Sequence, residues 1–213
     1  MSAKREKMKS VPQNYERRGW HSRGYLPHFD AAEVFQSITF RLHDSMPQNL
    51  IDRWRRELAR EAQDIGDALR WRIEAYLDQG YGGCYLADPR IALIIENSLL
   101  HFDGERYRLS AWVVMPNHVH FLAAPCCGKS VSSIMHSIKS YTSQEVNKVL
   151  GRTGSFWFED YFDRYIRNGL HYNNARVYIE NNPVKAGLCK RAADWRFSSA
   201  WRCSVKLKQM AAS

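Results

Sequence analysis

The alternation of apolar and polar positions divides the chain into a short series of elements. EVFQSITFRL, residues 33–42, places Val34, Gln36, Ile38 and Phe40 on one side and Phe35, Ser37, Thr39 and Arg41 on the other, as a strand does. Leu50, Trp54, Leu58, Ile65, Leu69, Ile73 and Leu77 then recur at steps of three, four or seven, which predicts one long helix over about 48–77, stopped by DQGYGG. Asp88 and Pro89 open a second helix that runs to about Phe102. RYRLSAWVV and the segment after MPN alternate as two strands, an antiparallel hairpin. A further helix buries Val131, Ile134, Met135, Ile138, Tyr141 and Val149 and stops at Gly151. SFWFEDYFDRYIR reads as short strands or an irregular ribbon, and His171 to Asn182 as a helix closed by Pro183. The strands do not alternate singly with helices, so the expected class is α+β with an antiparallel sheet.

Three segments follow from this order: a basic arm over 1–30 without regular periodicity, a domain over 31–190 with a helical elaboration at 48–102, and a polar C-terminal tail over 191–213, expected to fray. There is no run of about 18 apolar residues, hence no membrane-spanning helix, and the basic start lacks the apolar run of a signal peptide. The cysteines number 5, an odd count with no CxxC spacing, so they read as reduced thiols in a cytoplasmic protein rather than zinc ligands or a disulfide framework.

Charge narrows the partner. The formal net charge is +9, which suits a polyanion. Before Pro27 there are seven basic residues against two acidic ones. Three of them, Arg17, Arg18 and Arg23, flank Trp20 in YERRGWHSRGY, a mixture suited to phosphate contact with base stacking.

Candidate chemistry centres on MPNHVHFL. On a strand, His118 and His120 share one face, and two imidazoles there can serve one metal ion; the bland alternative is a pair of incidental histidines. In RVYIENNPVKAG, Tyr178 and Asn182 lie four apart on one helix face. Such a face can set a tyrosine and an oxygen ligand against the histidines. A metal would polarise a phosphate and the phenol, a poor nucleophile unaided, would attack it. Residue pattern alone does not choose Tyr178 over Tyr141, Tyr161, Tyr165 or Tyr172, and Asn182 before Pro183 is also an ordinary helix terminator.

RGWHSRGYLPHF, AWVVMPNHVHFLAAP, SIKSYTSQEVNKVLGRTGSFWFEDYFDRYIR and YIENNPVKAGL, in that order, resemble the REP-associated tyrosine transposases, single-tyrosine members of the HUH nuclease superfamily. The resemblance runs from about Arg17 to Trp201. It implies a ferredoxin-like antiparallel sheet with the histidines on a central strand and helices on one face, here with an added long helix. It implies His118 and His120 as the metal pair, Asn182 as third ligand, and Tyr178 as the nucleophile that keeps the 5′-phosphate. The implied cofactor is a weakly bound Mg²⁺ or Mn²⁺, although two imidazoles and an amide suit Zn²⁺, Mn²⁺ or Ni²⁺ at least as well. The implied substrate is single-stranded or hairpin DNA of repetitive extragenic palindromes (REP), handled by a monomer in a bacterial, nucleoid-associated setting. Arg17, Arg18, Trp20 and Arg23 are then candidates to grip the hairpin foot, and Lys139, Arg152, Trp157, Arg164, Arg167 and Lys185 to hold the strand. A non-catalytic hairpin-binding protein and a zinc hydrolase using water are the competing readings.

Overall fold

The computed structural model describes residues 20–22, 27–29, 33–60, 65–126 and 128–211. Its main sheet joins β3 (Gln36–Arg41), β4 (Tyr107–Val114), β5 (His118–Pro125) and β6 (Phe162–Tyr165) in the order β4-β5-β3-β6, with every neighbouring pair antiparallel. With α3 (Pro89–His101) before β4 and α4 (Val131–Leu150) after β5, the core reads β-α-β-β-α-β with the first and third strands central. That is the ferredoxin-like order. A separate pair, β1 (Trp20–Ser22) and β2 (Pro27–Phe29), forms a small antiparallel ladder within the expected arm. Arg17, Arg18 and Arg23 lie outside the described residues.

Both faces of the sheet are covered, not one. Ile38, Phe40, Trp112, Val114, Val119 and Phe121 meet Ile91, Ile95 and Leu99 of α3 and Ile134, Met135 and Ile138 of α4. The opposite face sets Val113, Leu122 and Ala124 against Ile179 and Tyr178 of α5 (Gly169–Lys185). The alternation of β3 and β5 produces this split, since Thr39 pairs with His120 and Phe40 with Val119.

Local signals start and stop these helices. Asp88 accepts a hydrogen bond from the Arg90 amide at 2.9 Å, Ser130 from Ser133 at 3.1 Å, and Asn168 from His171 at 2.9 Å. Gly151 ends α4 at φ 61°, a conformation that favours glycine. Tyr141 and Val149 prove exposed, and Thr142 and Val146 take the buried positions instead. The expected stop at Pro183 does not occur. Proline lies inside the last turn of α5, where only one intrahelical donor is lost, and the helix ends at Lys185.

The expected single helix over 48–77 is two helices, α1 (Gln48–Arg60) and α2 (Ile65–Leu77). Arg72 pairs with Glu57 at 2.8 Å, which one straight helix would hold roughly 22 Å apart by its rise per residue. Periodicity does not see the reversal because both helices point their apolar positions at the same seam. Met46, Ile51, Leu58, Leu69, Ile73 and Leu77 form that seam, and Phe162 of β6 packs on it, so the hairpin rests on the α5 side of the sheet. Leu69→Ala should cost about 3 kcal/mol of stability, measured by urea unfolding.

The C-terminal segment folds onto the sheet edge rather than fraying. Val114 donates to the Phe197 carbonyl at 2.9 Å, Trp195 Nε1 donates to the Val114 carbonyl at 2.9 Å, and α6 (Ser199–Ala211) follows. No helix among the described residues is long and apolar enough to cross a membrane.

Candidate active site

The site forms where β5, α5 and the end of α2 meet. Strand alternation turns His118 and His120 to the α5 side, and both are buried, as is Asn182. Their outer nitrogens are held. Asn117 Nδ2 donates to the carbonyls of Leu77 and Tyr81 at 3.2 and 3.1 Å. Its Oδ1 must therefore accept from His118 Nδ1 at 2.7 Å, which leaves His118 Nε2 as a lone pair. Thr39 Oγ1 lies 2.7 Å from His120 Nδ1 and orients the second ring. The two Nε2 atoms then face each other at 2.9 Å. Two lone pairs at that distance repel, so a proton or a cation belongs between them.

Burial keeps both rings neutral. His118 is held down to about 3, first by burial and then by the nearby Lys185 charge, and His120 is lowered by burial, His118, Lys185 and Arg70. Neutral imidazole is the form that ligates a metal.

Two oxygen donors approach the pair. Asp78, directly after α2, has a carboxylate oxygen 3.9 Å from His118 Nε2, and its buried Oδ1 has no hydrogen-bond partner. Its other oxygen is held by Lys185 at 2.6 Å. Asn182 Nδ2 lies 3.3 Å from His120 Nε2 and its buried Oδ1 is likewise unpartnered, so a half-turn of the amide brings an oxygen to the same place. Ligand atoms of Asp78, His118 and His120 lie within 4.8 Å of one another. Orphaned buried oxygens beside two oriented imidazoles fit a divalent cation.

Of the tyrosines left open by sequence, Tyr178 is the one whose ring meets His120, at 5.8 Å between centroids. Tyr141 is exposed on α4, and Tyr161 joins the α3–α4 core. Tyr165 pairs in register with Gln36, and the Tyr172 hydroxyl meets Ser110. Tyr178 Oη donates to Glu74 Oε2 of α2 at 2.9 Å, Trp71 stands edge-on at 6.1 Å, and Lys185 Nζ lies 5.4 Å from the ring centre. Burial, then the Glu74 and Asp78 charges, push the phenol well above its usual range, and burial raises Glu74.

The remaining candidates are dispersed. Lys185 sits in the site. Arg164 lies on β6 opposite Ser37, on the histidine side, and Arg167 is exposed with its guanidinium 5.5 Å from the Tyr165 ring centre. Lys139 donates to the carbonyls of Phe158 and Glu159 at 2.7 and 2.6 Å, and burial lowers it to about 8. Arg152 donates to Ser155 O at 3.2 Å. Trp157 is core: buried against Phe40 and Phe156, it donates to Thr142 Oγ1 at 2.8 Å and presents no face to DNA. Trp20 lies in β1.

Sequence reasoning missed Asp78, Glu74 and Trp71, which come from the inserted hairpin. The available signal was two acids four apart, Glu74 in the last turn of the helix and Asp78 opening DQGYGG. Gly82 in that segment has φ +76°, and a Cβ there would meet Asp44 O at 2.3 Å. Gly82→Ala should cost about 2 kcal/mol or more, read by urea unfolding, and should loosen the Tyr81 carbonyl that holds Asn117.

Residues 91–182 match the family model described as Transposase IS200 like. Over those residues the chain is similar to IS200-like transposases. A REP-associated tyrosine transposase of Escherichia coli (strain K12) is 31% identical over 111 residues, covering 51% of this chain; the chain spans 64% of that relative's length. The solved structure of a REP-associated tyrosine transposase bound to a REP hairpin superposes with a TM-score of 0.53 at 20% identity, covering 82% of this chain and 81% of that one. The resemblance stated from the motifs and the ferredoxin-like fold are both met in these comparisons. The IS200-like segment contains His118, His120, Tyr178 and Asn182, whereas α1 and α2 lie before it.

Proposed function

We propose that this chain is a metal-dependent single-stranded DNA endonuclease and strand transferase that acts on REP-type hairpins through a covalent 5′-phosphotyrosine at Tyr178. The observation that carries the proposal is the facing His118 and His120 pair with Tyr178 packed on His120 and Asn182 one turn further along the same helix. Similarity to REP-associated tyrosine transposases supports the substrate class.

His118, His120, Asp78 and Asn182 would hold the divalent ion, Mg²⁺ or Mn²⁺. When bound, it supplies positive charge that makes phosphorus more electrophilic and steadies charge in the transition state. Lys185, tied to Asp78, adds a fixed positive charge beside the tyrosine. Trp71, half exposed, offers an aromatic edge to the base flanking the scissile phosphate. Arg164, on the histidine side of β6, would follow the strand, and Arg167, exposed beside Tyr165, would meet it further along. Lys139 and Arg152 would contribute to a more distant part of the DNA path. Tyr178 attacks phosphorus, the 3′ oxygen leaves, and the phosphotyrosine conserves a bond from which the strand is rejoined.

The test is incubation with a labelled single-stranded REP-type hairpin and Mn²⁺, followed by denaturing electrophoresis. The expected result is a labelled band at the mass of protein plus oligonucleotide. Tight hairpin binding with no covalent band, across several targets and metals, would instead leave a non-catalytic hairpin-binding protein.

A further inference from the structure

We propose that Glu74, brought by the inserted helix α2, is the catalytic proton acceptor for Tyr178 during strand cleavage, an inference that rests on the tyrosine-nucleophile reading above. The carboxylate is buried, with 4% of its surface exposed, and sits 2.9 Å from Tyr178 Oη across 104 residues of chain. Burying a carboxylate is costly unless it is paired or bonded. Here one oxygen pairs with Arg70 at 4.0 Å and the other accepts from the hydroxyl that must lose its proton.

A phenol, whose ordinary pKa is about 10, is neutral at pH 7. Its proton must therefore leave as the oxygen attacks, and an acceptor has to be within hydrogen-bond reach. The charged and titratable groups around it are Arg70 and Glu74 on α2, Asp78 directly after it, Lys185 on α5 and His120 on β5. Lys185 and Arg70 are cations. Asp78 has one oxygen held by Lys185 and the other directed toward His118. Both nitrogens of His120 face other partners, Thr39 on one side and His118 with Asn182 on the other. Among the described residues this leaves Glu74. Burial raises its affinity for a proton.

In the step, the Oη–H bond breaks and the proton passes to Glu74 Oε2. The Oη electron pair forms the bond to phosphorus. The bond from phosphorus to the 3′ oxygen breaks, and that oxygen leaves with the electron pair and takes a proton from water. In rejoining, a 3′-hydroxyl gives its proton back to the solvent as its oxygen attacks phosphorus, the bond from phosphorus to Oη breaks, and Glu74 returns its proton to Oη. The base thus belongs to a hairpin that precedes the IS200-like segment rather than to that segment itself.

The experiment uses the full chain with a labelled single-stranded REP-type hairpin and Mn²⁺, comparing wild type, Glu74→Gln, Glu74→Asp and Glu74→Ala. Adduct formation is timed at saturating DNA, and hairpin affinity and thermal unfolding are measured alongside. Glu74→Gln should slow adduct formation about a hundredfold, the lower end of what a positioned base supplies, with hairpin affinity and melting unchanged. Glu74→Asp should recover part of the rate, and added formate should accelerate Glu74→Ala, which a purely structural role would not produce. An unchanged saturated rate in Glu74→Gln overturns the proposal, as does a loss confined to hairpin affinity. Wild-type protein that forms no adduct overturns the nucleophile reading together with it, whereas a wild-type adduct that Glu74→Gln matches overturns only the role of Glu74.

Discussion

Tyr178→Phe should eliminate the covalent protein–DNA product while leaving the hairpin bound nearly as tightly as before. The substitution removes one oxygen and keeps the ring, so the contacts with His120 and Trp71 survive. What goes is the nucleophile and the hydrogen bond to Glu74. A buried carboxylate that loses one of its hydrogen bonds is destabilising, by roughly 1–3 kcal/mol, so thermal unfolding should accompany the cleavage assay. A folded Tyr178→Phe protein that still forms a covalent adduct would move the nucleophile to another tyrosine. Cleavage retained without any adduct would point to water as nucleophile, the hydrolase alternative.

Metal binding by the free protein should be weak and should vanish on replacing either His118 or His120 by Ala. Each ring would contribute one Nε2, and among the described residues the cluster holds no further imidazole. Mn²⁺ titration followed by electron paramagnetic resonance reads this without any DNA. Changes to groups that only orient a ligand typically cost ten- to a hundredfold in affinity, so Thr39→Val should fall in that range and the histidine variants beyond it. Asp78→Asn and Asn182→Ala separate the two oxygen donors. Asp78 has a buried oxygen without a hydrogen-bond partner 3.9 Å from His118 Nε2, while Asn182 depends on which way its amide faces. A greater loss of Mn²⁺ affinity for Asp78→Asn would make the carboxylate the principal third ligand. Because both histidines are already neutral, with His118 at about 3, Mn²⁺ affinity should change little above pH 7.

The histidine strand, the hairpin before it, the capped helices α3 and α4 and the shared face of Tyr178 and Asn182 were legible in the chain. These depend on neighbours two to four residues apart, and local periodicity reports such neighbours directly. The antiparallel α+β class followed from the order of the same elements. The reversal between α1 and α2 was not legible, because two antiparallel helices with a common apolar seam carry the same pattern as one long helix. Nor was the burial of Trp157: an aromatic between basic residues is written alike whether it stacks on a base or bonds to Thr142 in the core.

The chain alone therefore placed His118 and His120 on one strand face and Tyr178 and Asn182 on one helix face. Only the tertiary structure decided what surrounds them. Glu74 reaches Tyr178, and Asp78 reaches His118, because the seam of α1 and α2 packs on Phe162 and so sets the hairpin on the α5 side of the sheet. Long-range packing of apolar surface does not depend on direction along the sequence, and no local pattern names the partner it brings.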